Sequence, residues 1–98
     1  MAVYGVALIN IDDRAGYSKY EQGFGEIFAK YQGELLAVDE APRVKEGEWP
    51  HTRTVIVRFP SEAEFNRWYE SAEYQALAQF RFRGSSANLA VLNGYERR

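Results

Sequence analysis

Cysteine is absent from this chain of 98 residues. Disulfides, thiolate metal sites and a cysteine nucleophile are excluded with it. Neither charge is in excess: 12 Lys and Arg stand against 14 Asp and Glu, interspersed along the chain. Nucleic-acid binders draw much of their affinity from phosphate neutralisation and show a basic stripe, so this balance argues against DNA or RNA. No apolar run reaches the length of about 20 residues that a membrane-spanning helix needs. The opening segment MAVYGVALINIDD has no basic region before its apolar run and soon meets Asp12 and Asp13, which suits neither a membrane span nor a signal peptide. A soluble, cytoplasmic protein is the expectation. A glycine-rich phosphate loop is also missing, and no Ser-His-Asp arrangement can be placed. No cofactor is implied.

What the chain does have is aromatic side chains, with 7 Tyr, 6 Phe and 2 Trp, at ordinary apolar content. That composition excludes disorder, which needs low hydrophobicity and high net charge. The length suits a single domain over residues 1–98.

Val3 to Ile11 is a β-branched and apolar run, read as a buried strand. Asp13 is placed to cap a helix, because its carboxylate can accept from free amides of the first turn. Tyr17, Tyr20, Phe24, Ile27, Phe28 and Tyr31 then recur at the spacing of an amphipathic helix, with Lys30 in its last turn and Gly33 as the residue past its end. Gly23 and Gly25 lie inside and weaken it by about 1 kcal/mol each relative to Ala. A short strand is expected from Leu35 to Asp39, then a polar connection, APRVKEGEWPHT, then a strand from Arg53 to Phe59. Ser61 and Glu64 form a capping box for a second helix with Phe65, Trp68, Tyr69 and Ala72 on its inner stripe. A further turn or two runs from Ser71 to about Phe80. Phe82-Arg83-Gly84-Ser85-Ser86 reads as a loop, and Asn88 to Leu92 as the last strand. The order β-α-β-β-α-β is the α+β, ferredoxin-like plan: a four-stranded antiparallel sheet with helices on one face.

The strands do not alternate apolar with polar as a sheet covered on one face should. Val3, Ala7, Ile9 and Ile11 oppose Tyr4, Val6 and Leu8, and Val55, Val57 and Phe59 oppose Thr54, Ile56 and Arg58. Both faces want burial. A homodimer packing sheet on sheet through the open face answers this, and a C-terminal segment folding across that face is the alternative.

The ordered set Glu46, Gly47, Trp49, Pro50, Arg53, then Phe59, Pro60, Ser61, then Trp68, Tyr69, Ser71, Glu73, Tyr74 resembles the family called domain of unknown function 1330. Ala29, Lys30, Tyr31 and Gly33 extend the likeness to nearly the whole chain. One departure is Ala72, where the family commonly has Pro, which leaves open whether the helix breaks at Ser71. The resemblance implies a dimeric α+β barrel akin to small monooxygenases and muconolactone-isomerase-like proteins, and it implies no particular reaction.

His51 is the one side chain that ordinarily titrates near neutral pH, and it lies beside Trp49 and Arg53. It is the candidate catalytic base; a solvated loop histidine is the plainer reading, and a metal or haem site resting on it alone has thin support. Arg53 and Arg58 flank a strand and either pair with carboxylates or receive an anionic ligand. Arg81 and Arg83 line the same end of a pocket or sit in a solvated loop. Tyr17, Tyr69 and Trp68 carry polar atoms on core-facing stripes, as do Tyr20 and Tyr74, and buried hydroxyls need partners. Tyr17, Trp49, Arg53, Trp68, Tyr69 and Arg81 are therefore the candidate ligand-binding residues. Two functions fit: a cofactor-independent, oxygenase- or isomerase-like enzyme on a small apolar or aromatic metabolite, or a non-catalytic binding or structural dimer module.

Overall fold

The fold was obtained as a computed structural model, which describes residues 1–95. Strand β1 (Val3–Ile11) leads into helix α1 (Arg14–Phe28), followed by β2 (Glu34–Asp39) and β3 (Arg53–Phe59). Helices α2 (Glu62–Tyr69) and α3 (Ala72–Gly84) precede β4 (Ser85–Asn93). The strands form one antiparallel sheet in the order β2-β3-β1-β4. This is the expected ferredoxin-like arrangement.

Local capping starts the helices where the sequence places them. Asp13 accepts from the Gly16 amide at 3.1 Å, and Ser61 accepts from the Glu64 amide at 3.2 Å. The stretch from Glu62 to Gly84 is two helices with a break after Tyr69. Ser71 donates to the Trp68 carbonyl at 2.8 Å and accepts from the Tyr74 amide at 3.2 Å, so one hydroxyl closes α2 and caps α3.

Several boundaries differ from the sequence reading. α1 stops at Phe28, and the chain tightens through Lys30 to Ile27 and Tyr31 to Phe28 backbone bonds. Gly33 is not a left-handed cap, since among the described residues Gly47 alone has a positive φ. Gly33 is instead a point of close approach: a Cβ there would meet the Phe59 ring at 2.6 Å and the Phe28 ring closer still. The expected loop at Phe82–Ser86 does not exist. α3 runs to Gly84 and β4 begins at the next residue. The Gly84 carbonyl accepts from the amides of Asp12 and Asp13, while Ser85 Oγ donates to the Arg81 carbonyl at 2.6 Å. These bonds replace a loop with a packed corner against the start of α1, and β4 is accordingly longer than Asn88–Leu92.

β2 carries a bulge between Leu35 and Ala37. Leu35 lies opposite Val57 and Val38 opposite Val55, so the bulge puts both on the helix-facing side, which strict alternation would not. The core beneath the helices is aromatic. Trp68 stacks on Phe59 at 5.6 Å, lies 4.3 Å from Tyr74 between ring centres and takes the edge of Phe28 at 5.3 Å. The molecule measures 44 × 38 × 16 Å, and the short dimension has room for one sheet and one helix layer. Tyr4, Val6 and Leu8 remain only partly covered on the opposite face. The chain does not fold across that face through Tyr95: the Gly94 amide continues the ladder to Ala2, and Tyr95 is 91% exposed.

Candidate functional site

A cavity of about 330 Å³ lies between the helix-facing side of the sheet and the helices. Its floor is apolar, from Ala7 on β1, Val55 and Val57 on β3, and Leu89 on β4. The bulged edge of β2 contributes Leu35 and Val38. α1 supplies Tyr17, Tyr20 and Phe24 from one stripe, α2 supplies Trp68, and α3 supplies Tyr74 and Arg81. Small-molecule sites have this character, mostly apolar with a few polar groups converging.

Two arginines reach the cavity in different electrostatic circumstances. Arg53 Nη1 lies 2.7 Å from Glu40 and 3.2 Å from Glu21, and its guanidinium sits over the Tyr17 ring at 5.6 Å. Glu40 also grips Arg14 through two bonds of 3.0 Å, which holds its carboxyl below the usual carboxylate range. Arg53 is thus already compensated by carboxylates and is poorly placed to orient an anionic ligand. Arg81 is only 7% exposed, yet among the described residues it belongs to none of the ion pairs. Its guanidinium lies 5.7 Å from the Tyr20 ring centre and 4.9 Å from that of Phe82.

The Tyr20 and Tyr74 hydroxyls are 2.7 Å apart. Burial pushes both phenols above their ordinary range; at Tyr20 the neighbouring Tyr74 adds to the shift, while at Tyr74 the Arg81 charge opposes it. Tyr17 is raised by burial too, against the pull of Arg53. For Arg81, burial works to lower the pKa, but the phenols of Tyr74 and Tyr20 outweigh it and hold the guanidinium above its ordinary value. The wall therefore presents a cation and neutral phenols.

Of the residues proposed from sequence, Tyr17, Arg53, Trp68 and Arg81 come together around the cavity. Trp49, His51 and Tyr69 do not line it. Trp49 donates its indole N–H to Thr54 at 3.1 Å and meets the His51 ring edge-on at 5.8 Å, walling a separate surface hollow with Pro42 and Val44. Half-buried His51, whose Nδ1 has no partner, stands next to Thr52, which ties β1 to the start of β3. The general-base role considered for His51 loses its geometric support. Tyr69 stacks on Phe65 at 5.8 Å instead. Arg58 forms an ion pair with Glu34 at 2.8 Å, and exposed Arg83 lies over the Phe80 ring. Phe24 and Leu89 were missed as lining residues, as was the contribution of β2, whose only sequence signal was its apolar content. Among the described residues, no group of three or more His, Asp or Glu is arranged to hold a metal ion, and no helix is long and apolar enough to cross a membrane.

A family model described as domain of unknown function (DUF1330) matches residues 2–95. No curated protein matches the sequence. Among solved structures, a protein of unknown function from Rhodopseudomonas palustris, RPA0582, is similar at TM-score 0.79 and 15% identity, over 98% of this chain and 84% of that one. SnoaB, a cofactor-independent oxygenase from Streptomyces nogalater, is similar at TM-score 0.72 and 11% identity, over 98% and 95%. A dimeric ferredoxin-like protein of unknown function from Thermobifida fusca gives 0.66 and 11%, over 94% and 90%. At such identities the likeness is one of fold.

Proposed function

The chain belongs to the DUF1330 family, and from that premise we propose that it is a homodimeric small-molecule protein. Its ligand is an apolar or aromatic metabolite held between sheet and helices, and its reaction is cofactor-independent, of oxygenase or isomerase type. The observation that carries this reading is the cavity itself, whose size and aromatic lining suit one small molecule. The fold shared with SnoaB supports the reaction class by analogy. The dimer is supported by the apolar outer face of the sheet and by similar folds that are dimeric.

One observation favours a non-catalytic binding module instead. Glu21, the carboxylate on the cavity wall, is paired with Arg53, and His51 lies elsewhere, so among the described residues no uncommitted base faces a ligand. In the enzymatic reading, the chain's contribution is to hold the substrate, exclude water and stabilise negative charge on it with the Arg81 and Tyr74 donors.

Trp68 fluorescence in a Trp49→Phe background, titrated with small aromatic alcohols and acids, tests the ligand. Saturable quenching that is lost on filling the cavity by Leu89→Phe, which adds no second indole, is expected. Quenching unchanged in that variant would place binding elsewhere. Oxygen uptake and product analysis with the tightest binders then separate catalyst from binding module.

A further inference from the structure

A buried cation without a carboxylate is costly, and proteins rarely keep one unless something pairs with it. Arg81 is such a cation: 7% exposed, on the cavity wall, and outside every ion pair among the described residues. The other arginines at this end are compensated, since Arg14 and Arg53 share Glu40 and Arg53 also takes Glu21. Nor do the neighbouring phenols supply a negative charge, because burial holds Tyr20 and Tyr74 in their neutral forms. The cavity therefore combines an apolar lining, with Phe24, Val55 and Leu89 among it, and one cation at Arg81 that no carboxylate pairs among the described residues.

We propose that Arg81 is the anchor for the carboxylate of a small aromatic or alicyclic monocarboxylic acid, whose ring packs against the apolar lining. The guanidinium fork matches the two oxygens of a carboxylate, and a Tyr74 hydroxyl adjacent to it can donate a further bond. Arg53 is already paired with Glu40 and Glu21, so a single uncompensated charge faces the cavity and does not favour a dianion, and the apolar floor disfavours a second charged group on the ring. This assignment rests on the ligand reading of the cavity given above.

The test compares 1-naphthoate with its neutral analogue 1-naphthamide by isothermal calorimetry on the wild type, Arg81→Leu and Arg81→Lys. Wild type is expected to bind the acid at least about tenfold more tightly than the amide, as one charge-assisted pair provides. Arg81→Leu should remove that preference while leaving the amide's affinity within about twofold, and Arg81→Lys should keep part of it because charge remains without the fork. The ligand-free Arg81→Leu protein should melt no lower than Tyr74→Phe, which loses the same Arg81–Tyr74 bond, since the leucine also removes a buried charge that no carboxylate pairs. A clearly lower melting temperature would make Arg81 structural and overturn the assignment. Equal binding of acid and amide by wild type would overturn it too, leaving the ligand reading intact. Binding of neither probe, at any concentration they dissolve to, would sink both.

Discussion

The hydroxyls of Tyr20 on α1 and Tyr74 on α3 lie 2.7 Å apart in the buried layer between the helices and the sheet. Their rings meet edge-on at 6.2 Å, and Arg81 stands beside both. The pair is unequal. Removing the Tyr20 hydroxyl leaves Tyr74 with Arg81 as a partner, whereas removing the Tyr74 hydroxyl strands Tyr20 and takes from Arg81 its bond to Tyr74. Tyr74→Phe should therefore cost more than Tyr20→Phe, within about 1–3 kcal/mol, the range for leaving a buried polar group unsatisfied. Urea unfolding of both single variants and the double variant measures this. Equal losses that add without coupling would show that the hydroxyls do not depend on one another.

Glycines of similar appearance should respond in opposite ways. Gly25 lies inside α1 with nothing within 4 Å of the place a Cβ would occupy, while a Cβ at Gly33 would run into the Phe28 and Phe59 rings. Gly25→Ala should stabilise by about 0.5–1 kcal/mol through helix propensity and lower unfolded-state entropy. Gly33→Ala should destabilise by about 1–3 kcal/mol, as overpacking of a core does. Thermal melts of the two variants decide it. A stabilised Gly33→Ala protein would mean that the turn after α1 can move away from the rings.

Glu40 links folding stability to pH. Its bonds to Arg14 first, and then to Arg53, hold its carboxyl below the ordinary value of 4.5 in the folded state. A depressed carboxyl stabilises the fold fully above the unfolded-state value and loses that contribution as pH falls through the folded value. The carboxylate is 39% exposed, so solvent screening keeps the contribution under about 1 kcal/mol. The melting temperature of wild type should exceed that of Glu40→Gln above pH 4.5, and the gap should close as the pH is lowered further. A gap of constant size down to pH 3 would show that the Glu40 charge is not what stabilises.

These contrasts mark what was legible in the sequence. Asp13 and Ser61 announced their helices because capping is settled within three or four residues, and β1 and β3 announced themselves by apolar content alone. The Gly84–Ser85 corner read as a loop because its composition is that of a turn. What straightens it are bonds to Asp12 and Asp13, some seventy positions away in the chain. The bulge that turns Leu35 and Val38 to the same side is set by pairing with β3 and leaves no local mark. The site was legible in part for the same reason. Tyr17, Arg53, Trp68 and Arg81 could be named as candidates, but which arginine is compensated depends on where Glu21 and Glu40 come to lie. His51 drew attention by its chemistry alone, and its position depends on Thr52 bonding to β1.

The outer face of the sheet carries the assembly prediction. Val6 lies between Ile56 of β3 and Ala90 of β4 in the register of the sheet, with Tyr4 and Leu8 on the same side. In one protomer this apolar surface is left partly or fully exposed, and a two-layer molecule 16 Å thick has nothing further among its described residues to cover it. In the proposed dimer a second copy laid face to face buries it. Light scattering after gel filtration should give the mass of two chains for wild type. Val6→Lys places a charge in the middle of the proposed contact, where an unpaired ammonium is expensive to bury. That variant should elute with the mass of one chain and keep the circular dichroism of the parent, since Val6 points away from the helices and the core they cover. A wild type of single-chain mass at micromolar concentration would refute the dimer, as would a Val6→Lys protein that remains paired.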